Sequence, residues 1–156
     1  MSQSIWRVIR NRYSQSALTG EGARIYGGRW TSPGFPVIYC AQNLSLAVLE
    51  ILVHTDNRIS LSGFSKIAID IPEDKIQFIS QENLPYAWDI PFPGSELQKI
   101  GDQWLLSQKS LILSLPSVII REEYNYLINP LHPDFPSLNT APLEPLALDE
   151  RLFKDK

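Results

Sequence analysis

PVIYCAQNLSLAVLEILVH, residues Pro36–His54, is the stretch from which the fold is read. Its opening residues, Pro36–Ala41, run apolar through Val37, Ile38 and Tyr39, as a buried strand does. Asn43 then has the side chain of a helix N-cap, an oxygen that can accept from a first-turn N–H. Behind it Leu44, Ala47, Val48, Ile51 and Leu52 recur at helical spacing. Leu46, Leu49 and Val53 fill the other side, so the pattern predicts a helix buried nearly all round, with Glu50 at its centre. An ionised carboxylate among such neighbours is costly unless it is paired. Either Glu50 faces solvent from the helix surface, or it is held in a semi-apolar cleft where its charge is used.

Toward the N-terminus, Ser4–Ile9 carries Ile5, Trp6, Val8 and Ile9 and predicts a short strand. Strand alternation turns Arg7 away from Trp6 and Val8; taken alone, it would be a solvated arginine. Residues 14–34 hold Gly20, Gly22, Gly27, Gly28 and Gly34 and predict a long loop, a place where function often sits. Within it, GGRW (Gly27–Trp30) combines paired glycines, which allow positive φ and close approach, with an arginine whose forked donors suit phosphate or carboxylate. A tight turn with a surface arginine is the other reading of the same tetrapeptide. The wider GEGARIYGGRW (Gly20–Trp30) has the wrong glycine spacing for a dinucleotide fingerprint.

Toward the C-terminus, Phe64–Ile71 and Lys75–Ile79 predict strands, and residues 81–93 a proline-broken loop. Ser95–Gln108 predicts an amphipathic helix with Leu97, Ile100, Trp104 and Leu105 on one face. Leu111–Leu115 and Val118–Ile120 predict strands around Pro116, Glu122–Asn139 mostly loop, and Leu143–Leu148 an edge strand with prolines. Strands outnumber helices and mix with them irregularly. The expected class is α+β with a mixed, mostly antiparallel β core, as one domain over residues 1–156.

Composition excludes several functions. A net charge of −3 with no basic stripe argues against direct nucleic-acid binding, although a few placed arginines can still hold a small anion. Cys40 is the only cysteine, so no disulfide forms within the chain and a reducing compartment suits it. With His54 and His132 as the only histidines, no metal site is expected. The N-terminus lacks the apolar core of a signal peptide, and no apolar run approaches the ~20 residues of a membrane span. The expectation is a cytoplasmic protein. Ser117 follows Pro116 outside any nucleophile-elbow pattern and reads as a turn residue. Tyr39 alone reads as core.

Six segments in order resemble the RES domain family, named for an Arg, a Glu and a Ser. They are WRV at Trp6–Val8, GEGARIYGGRW at Gly20–Trp30, the strand and helix of Pro36–His54, GDQWL at Gly101–Leu105, LPSVIIREEYNYLINPLHPDF at Leu115–Phe135, and DERLF at Asp149–Phe153. GGRW, the Glu-bearing helix and NxxxNPxHP (Asn125–Pro133) are specific in combination. The family often has Asn after GGRW, where Thr31 stands here.

The resemblance implies a fold like that of ADP-ribosyltransferase toxins. It implies a toxin of a bacterial type II toxin–antitoxin system that depletes NAD⁺ by cleaving the nicotinamide–ribose bond, by phosphorolysis or hydrolysis. NAD⁺ is then a substrate, inorganic phosphate an optional co-substrate, and no cofactor is required. The implied partner is an Xre-type helix-turn-helix antitoxin whose C-terminal region blocks the cleft, within homo- or hetero-oligomers. Arg29, Glu50 and Ser117 are the implied catalytic residues, with Arg7, Gly28, Trp30, Tyr39 and Asn125 around the substrate. In this scheme Glu50 stabilises charge on the ribose, and Arg29 and Arg7 hold the pyrophosphate or an incoming phosphate. Tyr39 stacks on nicotinamide or orients the ribose. Ser117 hydrogen-bonds the substrate or Glu50, and Asn125 orients the serine loop or the substrate. Transfer of ADP-ribose to a macromolecule, or an inactive antitoxin-binding module, are the alternatives.

Overall fold

The computed structural model describes residues 1–54, 63–91 and 93–153; residues 55–62, 92 and 154–156 lie outside it. Strands β1 (Ser2–Arg10), β2 (Ile38–Ala41), β3 (Phe64–Pro72), β4 (Ile76–Phe78), β5 (Ile112–Pro116), β6 (Tyr124–Ile128) and β7 (Asn139–Thr140) form one sheet in the order β4-β5-β6-β2-β1-β3-β7. A short β8 (Glu144–Pro145) also pairs with β3. β4 and β5 run parallel and the other pairs are antiparallel. The helices are α1 (Glu21–Tyr26), α2 (Leu44–Val53) and α3 (Glu96–Ser107). The architecture is the α+β fold with a mostly antiparallel sheet that the sequence predicts. Among the described residues no helix is long and apolar enough to cross a membrane.

Register decides which side chains share a face. Leu113, Leu127 and Tyr39 stand opposite one another across β5, β6 and β2, and Leu115, Asn125 and Ala41 form the next row on the same face, continued by Trp6 of β1. Against this face pack Leu97, Trp104 and Leu105 of α3 and Leu46 and Ala47 of α2. The alternate residues Ile112, Ile128, Ile38 and Ile5 line the opposite face, with Cys40, Ile69 and Ile71. The central strands are thus buried on both sides, and period-2 alternation sorts two cores instead of separating core from solvent. Both longer helices, and with them Glu50, lie on the Tyr39–Ala41 face.

Cys40 points into the opposite core at 3% exposure, and burial pushes its thiol up to about 12. The thiolate is the reactive form. Iodoacetamide at pH 8.5 is therefore expected to leave the folded chain unmodified and to label it fully in denaturant; fast labelling of the native protein would contradict this placement.

Four local expectations are corrected. First, residues 14–34 contain α1, set between Gly20 at φ 74° and Gly27 at φ 72°, and it is too short to show a hydrophobic period. Second, Glu122–Asn139 contains β6, an inner strand; Asn125 and the flanking acids and proline mask it. Third, Val118–Ile120 is a turn. The Ser117 hydroxyl accepts the N–H groups of Ile119 (3.0 Å) and Ile120 (3.3 Å), and Ser117 N–H donates to Glu123 O at 2.8 Å. This side-chain capture of the backbone overrides the strand preference of a β-branched run. Fourth, α2 is not buried all round. Leu46, Ala47 and Val48 are its buried residues, whereas Leu49 is 36% and Val53 63% exposed, because the helix rests on the sheet by one side only.

Candidate active site

Asn43 starts α2 by accepting Leu46 N–H at 2.8 Å, the cap its sequence position predicts. Two turns on, Glu50 is partly exposed. The Ser117 hydroxyl, itself fully buried, donates to Glu50 Oε1 at 3.0 Å. Because that hydroxyl also accepts two backbone N–H groups, its proton is aimed at the carboxylate. Oε2 has no hydrogen-bond partner among the described residues. Residues 67 positions apart are joined this way, across the top of β5 and the face that α2 covers.

Arg29 is a cation on which the charge of this carboxylate acts. Its Nη1 donates to Trp88 O (3.1 Å) and Ile90 O (2.9 Å), and its Nη2 to Pro91 O (3.2 Å). These carbonyls belong to the proline-rich loop after β4 and set the plane of the guanidinium. The Nε–H and one Nη2–H remain for a ligand, a forked pair suited to a phosphate or carboxylate. Partial burial lowers the Arg29 guanidinium from its usual value, while the charges of Glu50 and Asp89 act the other way. Arg29 also lines a cavity of about 360 Å³ with Gly28, Pro91, Pro93, Gly94, Ser95 and Gln98. Glu50 and Ser117 are not in its wall, so Arg29 is the residue common to the carboxylate and the cavity.

The loop carrying Arg29 is fastened on two sides. Gln98 of α3 donates to Gly28 O at 3.1 Å, and Asp102 accepts from Ser32 N–H (2.8 Å) and the Ser32 hydroxyl (2.5 Å). Gly101 lets α3 approach so closely that a Cβ there would lie 1.9 Å from Trp30 O. On the other side Tyr39 packs under Gly28, where a Cβ would come within 2.6 Å of the phenol oxygen. The Tyr39 hydroxyl pairs with Thr31 Oγ1 at 2.7 Å, so Thr31 takes a structural part at the position where the family often has Asn. Burial pushes the Tyr39 phenol up to about 12, and it stays protonated at neutral pH.

The other expected substrate residues are placed differently. Trp30 is 2% exposed and stacks on Trp88 with ring centroids 6.4 Å apart, so its indole anchors the loop and offers no surface to a ligand. Arg7 lies on the Ile5 face, away from Glu50. Its guanidinium donates to Ala17 O (2.7 Å) and Tyr39 O (2.8 Å), and desolvation lowers it from its usual value. It braces the backbone on the face opposite Glu50, with these two carbonyls as its partners. Asn125 shares a row with Ala41 and donates to Cys40 O at 3.5 Å. Sequence reasoning assigned no role to Gln98, Gly101, Asp102 or Asp89, although GDQWL at Gly101–Leu105 is one of the segments of the resemblance. One signal for Gly101 was available: a glycine inside a helical pattern costs ~1 kcal/mol against alanine and often marks close approach.

Comparison with known proteins adds the following. A family model described as the RES domain matches residues 4–149. The chain is 39% identical over 153 residues to "Toxin Res" of Photorhabdus laumondii, covering 97% of this chain and 98% of that protein. It is 33% identical over 159 residues to the "Prs ADP-ribosylating toxin" of Sphingobium sp. (strain YBL2), covering 99% of each. A chain in the crystal structure of the M. tuberculosis MbcT–MbcA toxin–antitoxin complex superposes with a TM-score of 0.77 at 19% identity, covering 98% of this chain and 87% of that one. At that identity the likeness speaks to the fold.

Proposed function

The chain belongs to the RES domain family, and on that premise we propose that it is the toxin of a toxin–antitoxin pair and that it cleaves the nicotinamide–ribose bond of NAD⁺. The observation that carries this reading is the Glu50–Ser117 hydrogen bond with Arg29 in electrostatic reach. Nicotinamide leaves readily because its nitrogen is already cationic, and positive charge then develops on the ribose, as in glycoside hydrolysis. A carboxylate fixed beside that ribose stabilises the charge without reorganising during the reaction. Ser117 holds Oε1, and Oε2 is directed to the ribose hydroxyls. Ser117 is a positioning residue: its hydroxyl is fully buried, accepts two backbone N–H groups and spends its proton on holding Glu50. Arg29 holds the pyrophosphate, or an incoming phosphate, with its remaining donors.

Water as acceptor yields ADP-ribose, nicotinamide and a proton. Inorganic phosphate yields ADP-ribose 1″-phosphate and nicotinamide. Incubating the purified chain with NAD⁺, with and without phosphate, and separating the products tests the reading. Loss of NAD⁺ with release of nicotinamide supports it, and intact NAD⁺ overturns it. Arg29→Lys tests the arginine. A lysine has a point charge and no planar fork, so it cannot bridge three carbonyls and still present a forked pair. We expect kcat/KM for NAD⁺ to fall by about tenfold or more, with a loss of about 1.4 kcal/mol in transition-state binding per decade. Unchanged turnover would remove Arg29 from the site.

A second reading is favoured by the name of the Sphingobium relative, an ADP-ribosylating toxin. The same bond breaks, and the ADP-ribose passes to a macromolecule. NAD⁺ labelled in its adenylate separates the two, because label in free ADP-ribose or its phosphate means cleavage alone and label retained on protein or nucleic acid means transfer. The partner is proposed to be an Xre-type helix-turn-helix antitoxin that covers the cleft, in an assembly of several chains, with the toxin acting in the cytoplasm where NAD⁺ is found.

A further inference from the structure

Arg121 and Asp89 form an ion pair, Nη2 to Oδ2 at 3.0 Å, that the reaction above does not use. It joins the two loops that build the site. Asp89 lies between Trp88 and Ile90, whose carbonyls orient Arg29, and its charge acts on Arg29 directly. Arg121 lies in the turn that begins at Ser117, the residue that holds Glu50. The backbone there is tied down by Gln81 Nε2 donating to Arg121 O at 2.8 Å. Around Asp89 the charges therefore alternate in sign, with Arg29 on one side and Arg121 on the other.

Both side chains of the pair are accessible, Arg121 at 58% and Asp89 at 31%, so the bond adds little to stability. Its electrostatic consequence is larger. A pyrophosphate diester carries two negative charges, and one that reaches Arg29 meets the Asp89 carboxylate as a like charge. Arg121 is the cation that offsets that carboxylate, and its exposed side chain is held by few contacts that would keep it there. We propose that Arg121 is a second anion-binding residue of this cleft, and that Asp89 is an internal carboxylate which the substrate's pyrophosphate displaces from the arginines. The inference rests on the reading of the substrate as a pyrophosphate-bearing dinucleotide.

The test is equilibrium binding of ADP-ribose, which has the pyrophosphate without nicotinamide, measured by calorimetry beside the KM and kcat for NAD⁺. Arg121→Gln is expected to raise Kd and KM together by roughly fivefold with kcat within about twofold, the pattern of a lost uniform binding contact. Asp89→Asn is expected to tighten ADP-ribose by about twofold or more, and the double variant to fall between the two single variants. Arg121→Lys, which keeps the charge, is expected to retain most of the affinity. Wild-type Kd in Arg121→Gln overturns the proposal. So does weakening by Asp89→Asn equal to that of Arg121→Gln, the mark of a pair that only straps the loops. If the wild-type chain leaves NAD⁺ intact while Arg121→Gln still weakens ADP-ribose, the cleavage reading falls and this inference stands. If NAD⁺ is consumed and Arg121→Gln binds ADP-ribose normally, this inference falls alone.

Discussion

Glu50→Gln is expected to lower NAD⁺ turnover by about 10²–10³, the usual effect of removing one preorganised group that faces developing charge. The fold should not suffer. Glutamine keeps the length of the side chain and an oxygen for the Ser117 hydroxyl, which lies 3.0 Å from Oε1 in the native site. Turning the amide so that its oxygen faces Ser117 preserves that bond, and the NH₂ replaces the charged oxygen at the ribose. A melting temperature within a few degrees of wild type, with nicotinamide release nearly abolished, is the expected pair of results. Full activity would show that Glu50 stabilises no charge in the reaction. A large drop in melting temperature would show that the carboxylate itself supports the fold.

Gly101→Ala is expected to have the opposite balance, harming both stability and activity. Helix propensity alone predicts a gain of ~1 kcal/mol for alanine inside α3. Packing reverses the sign. The added Cβ would lie 1.9 Å from Trp30 O, 2.9 Å from Trp30 C and 2.8 Å from Thr31 Cγ2. Two of these atoms are backbone, so no rotamer change relieves the clash, and the GGRW loop must move off α3. Overpacking of this kind costs about 1–3 kcal/mol, and at this chain length each kcal/mol lowers the melting temperature by about 2–4 °C. The loop carries Arg29, and a displacement of about 1 Å can reduce catalysis 10²-fold. Gly22→Ala is the control, since nothing lies within 4 Å of a Cβ there and α1 should tolerate or prefer it. A Gly101→Ala protein with native melting and native NAD⁺ turnover would mean that α3 does not position the arginine loop.

Local patterns were enough for the elements whose signals are local. The Pro36–His54 stretch specified a strand, a capped turn and a helix, because chain alternation, the Asn43 cap and the 3.6-residue period all act within a few residues. It also singled out Glu50, since one carboxylate in an apolar helix is conspicuous without neighbours. The class of the fold and the helix α3 were legible for the same reason. What only the tertiary structure decided depends on contacts between distant segments. β6 is a strand because β2 and β5 hold it on both sides, against the reading of its own polar flanks. Ser117 ends a strand and turns the chain because its hydroxyl is shared between two N–H groups and Glu50. Register sends Arg7 to the face opposite Glu50, although the family resemblance had grouped it with Arg29 around an anion. Arg29 owes its orientation to three carbonyls about 60 residues away, and its loop owes its position to one glycine on α3. A hydrogen bond made across such distances in sequence leaves no periodic trace in either partner, so residue type marked Glu50 and Arg29 as candidates and packing alone determined what holds each of them in place.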